Sequence, residues 1–272
     1  MAAPAWKETY GQATARVGVG AATPEVNALF KKAFEIRQEK ADAARIAARG
    51  TLEKANPHVT DFGKCPRKVW LSLANEPVSE PLIIQSHVNF AVGAAVEEFF
   101  GSLITEIGGT FEREAHVTFP GDPPVTGRID YLLALDELDA LVELKSTSSL
   151  AMKLSLQANE LPKDDHKRQI RAYLAASEKG YIDGHEPKTY KHGYLVYVVK
   201  DAKKGQEPIQ AFYVAHEPGL VEADLAWLRG VAAMKEAPPI PEFLAAHKAN
   251  KGKLHWQCGY CPYRTYCWGG AK

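Results

Sequence analysis

The stretch GRIDYLLALDELDALVELKS, residues 127–146, restricts the possible folds of this chain more than any other. Two apolar runs, 125–135 and 140–146, read as neighbouring strands joined by the polar segment Asp136–Asp139. The first run carries Asp130 in its interior, and the second carries Glu143 and Lys145 on either side of Leu144. Burying a bare carboxylate costs several kcal/mol unless a cation or hydrogen bonds compensate it. A four-residue loop over Asp136–Asp139 sets Leu135 against Ala140 and Asp130 opposite Lys145, diagonal to Glu143, with all three on one face. Opposed side chains in a sheet stand ~5 Å apart and diagonal ones ~7–8 Å, a span that a divalent ion bridges with oxygens from both strands. The simpler reading of the same residues is a buried ion pair between Lys145 and one of the acids.

The elements around these strands set the fold class. Residues 1–23 are rich in Ala and Gly and read as a loosely held arm, and Pro24–Ala55 carries helix formers at helical spacing for one long helix or two. Cys65 precedes a short helix in KCPRKVWLSLANEP, and 87–109 reads as a helix that stops at Gly108–Gly109. Strands follow at 110–120, 125–135 and 140–146, then a helix at 164–178, strands at 192–200 and 209–216, and a helix at 218–237. This order predicts an α/β or α+β domain, a mixed central sheet flanked by helices, over 24–237. The segment PPIPEF (238–243) leads into a basic, cysteine-rich segment, 238–272. Glu97 and Glu98 on the 87–109 helix offer a third carboxylate to the Asp130–Glu143 site. Gln169 and Tyr173, four apart on the 164–178 helix, share one face and are expected either to touch a substrate or to be a solvated face. No GxxxxGK(S/T) phosphate loop or internal repeat occurs.

Charge and cysteine usage narrow the partners. The 33 basic and 33 acidic residues cancel, so no whole-molecule field draws this chain to a polyanion. Nucleic acid would have to be met locally, at Lys64-Arg67-Lys68, Lys167-Arg168-Arg171 or Lys200-Lys203-Lys204. No run reaches the ~20 apolar residues of a membrane span and the start lacks a secretory profile, so a cytosolic, reducing setting is expected, without a membrane partner. The four cysteines then read as metal ligands. Cys258, Cys261 and Cys267 form C-x2-C-x5-C, and Cys65 is a distant fourth, which would staple the two ends of the chain together. Four thiolates fit tetrahedral zinc or an iron–sulfur cluster equally, and His255 is a possible substitute ligand for zinc.

Taken together, these motifs resemble the RecB-like branch of the PD-(D/E)XK nuclease superfamily, in particular the iron–sulfur exonucleases of CRISPR adaptation and their phage relatives. GAAVEEF is similar to the family's G-x-x-x-H/E helix, GRID to its aspartate strand, ELK to its (D/E)XK strand and QIRAY to its QxxxY helix. KCPRKVW and CGYCPYRTYC resemble its split four-cysteine cluster. Glu97 stands where many relatives have histidine, and Ile129 precedes Asp130 where others have proline.

The resemblance implies a restriction-endonuclease-like fold and a metal-dependent DNA nuclease, an exonuclease on single-stranded ends acting in recombination, repair or CRISPR adaptation. It implies one or two Mg²⁺ or Mn²⁺ ions held by Asp130, Glu143, Glu97 and the Leu144 carbonyl, with Lys145 orienting or deprotonating the attacking water. It further implies that Gln169, Tyr173 and Arg171 contact the strand, and that Cys65, Cys258, Cys261 and Cys267 hold a 4Fe-4S cluster in preference to zinc. Recombination, helicase or CRISPR adaptation proteins are the implied partners. The competing expectation is a non-catalytic DNA-binding or adaptor module with a structural zinc, in which Glu143 and Lys145 form an inert ion pair.

Overall fold

The computed structural model describes residues 55–80, 84–135 and 138–269, together with the helical, exposed positions Lys32, Ile36 and Lys40. The expected arm at 1–23 and most of the helix at 24–55 lie outside the described residues. The chain divides into two compact units, 1–52 and 53–272, and the second contains the sheet.

That sheet has five strands in the order β1-β2-β3-β4-β5: β1 (Thr110–Phe119), β2 (Val125–Leu135), β3 (Leu138–Thr147), β4 (His192–Val199) and β5 (Ile209–Ala215). Neighbours run antiparallel except β3 and β4, which are parallel. Parallel neighbours need a long crossover, and here it carries α3 (Ser149–Gln157) and α4 (Asp164–Glu178). As the inner parallel strand, β4 is buried without interruption from Leu195 to Val199, whereas β1 alternates, with Ala115, Val117 and Phe119 inside. This is the expected mixed sheet flanked by helices.

Helices cover both faces. On one, α2 (Ile84–Glu106) sets Val96, Phe100 and Ile104 against Tyr131, Leu133, Val142 and Leu144. On the other, α1 (Pro66–Leu73), α4 and α5 (Pro218–Ala233) enclose a larger core that includes Phe62, Ile129, Leu141, Leu174 and Leu228. By length and composition alone, Val88–Glu106 would also pass as a membrane span, which the sequence reading did not anticipate. Glu97 and Glu98 sit in the middle of that stretch and both pair with Arg113 of β1, which ties the helix to the sheet.

The register of β2 against β3 corrects the sequence reading. Leu135 pairs with Leu138 and Tyr131 with Val142, so the ladder is slipped by two residues from the pairing that a four-residue loop would give. Leu138 and Asp139, read as loop, belong to β3. Side chains alternate with period two, so a two-residue slip keeps every side chain on its face, whereas a one-residue slip would have turned Glu143 and Lys145 away from Asp130. Extended by one pair, the observed register puts Asp130 beside Glu143 instead of Lys145.

The C-terminal segment contains α6 (Glu242–Lys251) and the short turns α7 (Trp256–Gly259) and α8 (Arg264–Trp268), none of them anticipated. It docks on the region after Cys65. The Pro262 carbonyl accepts from the backbone N–H groups of Ser79 (3.0 Å) and Glu80 (2.9 Å), Arg264 pairs with Glu80 at 2.7 Å, and Arg67 donates to the Pro238 carbonyl at 2.8 Å.

Candidate active site

The β2–β3 ladder ends at Tyr131–Val142, and Asp130 stands where the strands part. The N–H of Leu144 donates at 2.7 Å to Asp130 Oδ2, so a carboxylate takes the place of a strand carbonyl. Across the gap Glu143 is almost completely buried, at 1% exposure. One of its oxygens accepts from Lys145 Nζ, and the other, Oε2, is buried with no hydrogen-bond partner. Native interiors rarely leave a polar atom in that condition.

Lys145 is held in turn by α4. Its Nζ donates to Gln169 Oε1 at 3.2 Å, and Gln169 Nε2 donates to the Tyr173 hydroxyl at 3.0 Å. Gln169 and Tyr173 are therefore not the solvated face that the alternative reading expected. Both are buried, Tyr173 completely, and their connection to the site runs through Lys145. Burial, followed by the charge on Glu143, pushes the Tyr173 pKa well above the ordinary tyrosine value, so the phenol stays neutral. Gly127 explains the glycine of GRID: a Cβ there would lie 2.8 Å from both the Tyr173 ring and Val59 Cγ2, so the ring approaches β2 closely only because position 127 has no side chain.

The remaining predicted residues are distributed unevenly. Glu97 lies near enough for the charge of Asp130 to act on it, but its carboxylate also pairs with Arg113 at 3.5 Å. Sequence reasoning missed Arg113, although a basic residue among alternating charges in FEREAH is the signal that could have found it. Arg171 does not join the cluster. It pairs with Glu217 at 2.8 Å, while Arg168 is taken by Asp164 and Asp224 and Lys167 by Asp164. The basic patch 167–171 is thus largely neutralised by the chain's own acids, Asp164 one turn back on α4 and Glu217 and Asp224 from α5 and its N-cap.

The electrostatics favour a cation. Burial raises the pKa of all three carboxyls, Glu143 to about 8, with Asp130 raising both Glu143 and Glu97 further. Burial works against the charge on Lys145, but Glu143 and Asp130 outweigh it and hold the amine above the ordinary lysine range. A positive ion would relieve all three acids, and oxygen ligands on two strands suit a hard divalent cation. Among the described residues no trio of His, Cys, Asp or Glu is gathered tightly enough to hold an ion as it stands. Holding an ion would therefore require the carboxylates to draw closer together.

All four cysteines line one cavity of about 890 Å³ between α1 and the C-terminal turns. They are free thiols: Cys65 sits at the N-cap of α1, and Cys258 is buried in α7. Burial pushes Cys258, Cys261 and Cys267 upward, and each is raised further by Cys65. The fold therefore brings Cys65 to the other three across almost two hundred residues of chain.

A family model of the PD-(D/E)XK nuclease superfamily matches residues 27–268. No curated protein matches the sequence. Among solved structures the chain is similar to SSO0001, with a TM-score of 0.55 at 18% identity over 90% of this chain and 100% of that one. Looser likenesses are to the alkaline exonuclease LHK-Exo of Laribacter hongkongensis, alone (TM-score 0.44, 14% identity) and in complex with dAMP (0.42, 12%), each over 69% of this chain and 89% of that one. The family match spans the whole sheet, the Asp130–Glu143–Lys145 cluster and all four cysteines, and this chain belongs to the PD-(D/E)XK nuclease superfamily.

Proposed function

We propose that this protein is a metal-dependent deoxyribonuclease that hydrolyses phosphodiester bonds of single-stranded DNA from a free end. The observation that carries the reading is the unpartnered, buried Oε2 of Glu143 beside Asp130 and Lys145. A structural ion pair needs no second oxygen left unsatisfied, whereas a ligand set does. Asp130, Glu143, the Leu144 carbonyl and Glu97 would hold one or two Mg²⁺ or Mn²⁺ ions. Such an ion supplies positive charge at the scissile phosphate and acidifies the attacking water.

The chain's own residues do the positioning. Lys145, kept charged by its acidic neighbours, offsets the negative charge that builds on the phosphate and orients the water. Gln169 accepts from Lys145 and is itself fixed by Tyr173, so the amine keeps its place when Glu143 turns to the ion. Lys68 beside the cysteine cavity, and Lys200, Lys203 and Lys204 on an exposed turn, are local cations available to backbone phosphates, whereas Lys64 pairs with Asp61 at 3.6 Å.

The four thiols around one cavity suit a 4Fe-4S cluster. Buried thiols that raise one another's pKa are stabilised as thiolates by bound metal. Cluster and sheet together fit a role in recombination, repair or CRISPR adaptation, alongside a helicase or adaptation proteins, in a reducing compartment.

Strands labelled separately at each end, incubated with Mn²⁺ and with EDTA, test the activity. Shortening from one labelled end, with Mn²⁺ only, is the expected result. Intact strands under both conditions, from protein with a cooperative melt, would remove the reading.

A further inference from the structure

A second, smaller cavity of about 250 Å³ adjoins the carboxylate cluster and shares Lys145 with it, but none of the carboxylates lines it. Its floor is apolar, made by Met152 of α3 and Leu161, with the ring of Tyr197 from β4. Its rim is polar, with Ser146, Ser155, Lys163 and His166. The volume falls below the roughly 300–1,000 Å³ of drug-sized sites, which suits one nucleoside and excludes a base pair.

The hydrogen bonds at the rim fix which proton His166 offers. The backbone N–H of Lys163 donates to the Tyr197 hydroxyl oxygen at 3.2 Å, and His166 Nδ1 lies 2.7 Å from the same oxygen. Tyr197 is buried, and among the described residues His166 Nδ1 is the acceptor in reach of its proton. The Tyr197 O–H therefore donates to Nδ1, which leaves the ring proton on Nε2. The nearest carboxylate oxygen to Nε2, on Asp165, is 3.9 Å away, beyond hydrogen-bond reach. Burial, with Lys145, Lys163 and Lys64, outweighs Asp165 and lowers the His166 pKa to about 4, so the ring is a neutral donor.

We infer that this pocket takes a single unpaired nucleotide flanking the scissile phosphate, its base on the Met152–Leu161 floor and its phosphate held by His166 Nε2–H and the Lys163 amine. The assignment rests on the nuclease reading above and adds a reason for single-strand selectivity, since a paired base does not fit.

Equilibrium binding of dTMP and of inorganic phosphate, each with Mn²⁺ present, tests it on the wild type and on Ser155→Trp, a bulky replacement in the pocket lining at a residue outside the Asp130–Glu143–Lys145 cluster. The wild type is expected to bind dTMP at least about tenfold more tightly than phosphate, and Ser155→Trp to lose about tenfold or more for dTMP while Mn²⁺ affinity is unchanged. His166→Phe is expected to weaken dTMP about tenfold, and His166→Gln, which keeps a donor, to recover most of that. Ala151→Phe, on the same wall, replaces Ser155→Trp if the latter does not fold. Equal affinity for dTMP and phosphate, or unchanged dTMP binding in folded pocket-filled protein, would overturn the proposal. Wild type that binds dTMP as described but leaves DNA intact would instead sink the nuclease reading, and cleavage without selective dTMP binding would do the reverse.

Discussion

Glu143→Gln is expected to lower Mn²⁺-dependent strand cleavage by about 10³-fold or more, the loss typical when a group that stabilises transition-state charge is removed. The same substitution is expected to leave the metal-free protein as stable as the wild type or more stable. An amide of the same shape still accepts from Lys145 through Oε1, and above about pH 8, where Glu143 is ionised in the fold, it removes a buried charge whose second oxygen has no partner. Lost activity with retained or increased stability separates a functional carboxylate from a structural one, whose removal costs stability.

The pH dependence of stability follows from the same residue. In the unfolded chain Glu143 titrates near its ordinary value of 4.5, and in the folded protein near 8. Between those values the folded state keeps a proton that the unfolded chain has lost. Stability of the metal-free protein should therefore fall as pH rises through this window, by up to about 1.4 kcal/mol per pH unit, and level off above it. Asp130 and Glu97 are displaced in the same direction and add to the slope. Urea denaturation in EDTA across this range should show the decline in the wild type and a weaker one in Glu143→Gln.

Loss of the proposed metal cluster at the four cysteines is the second large effect expected. Cys65 and Cys258 close a loop of almost two hundred residues, and cross-linking a loop of that length contributes roughly 3–5 kcal/mol through the unfolded state. Cys258→Ala should therefore lower Tm by roughly 10 °C in anaerobically prepared protein. On the 4Fe-4S proposal the wild type carries ~4 iron and ~4 acid-labile sulfide per chain, and Cys258→Ala should lower both towards zero. Hydrogen bonds already dock the C-terminal segment, through Pro262 to Ser79 and Glu80 and through Arg67 to Pro238, so partial retention of structure is expected. Zinc without iron or sulfide in the wild type would overturn the cluster assignment and leave the carboxylate site untouched.

Much of this could be read from residue order, and what could not depends on contacts between distant elements. Asp130, Glu143 and Lys145 stand out because charge inside an apolar strand needs a reason. The α4 bounds agree with the sequence because Asp164 and Asp165 favour a helix N-terminus. The turn between β2 and β3 was misjudged because three of the four residues of DELD are acidic, and the lone Leu138 is a weak cue that it and Asp139 belong to the strand. The slip happened to be even, so the site survived the error. Helix α3 was missed although Ser148 caps it, its hydroxyl accepting from Ala151 N–H at 3.2 Å, because the run is short and follows a strand without a break. Gln169 and Tyr173 were read as sharing one face, as they do, but their burial and their link to Lys145 were not legible, since helical spacing tells which residues share a face and not what that face meets. Arg113, His166 and Tyr197 acquire their roles only once β1, α4 and β4 are assembled.

Calorimetric titration of Mn²⁺ into the wild type and Glu143→Gln at pH 8 addresses the carboxylate site most directly. The wild type should bind one or two ions with release of protons, and Glu143→Gln should bind at least about tenfold more weakly. Equal Mn²⁺ affinity in the two proteins would mean that the buried oxygen of Glu143 holds no ion, and the catalytic account would fail with it.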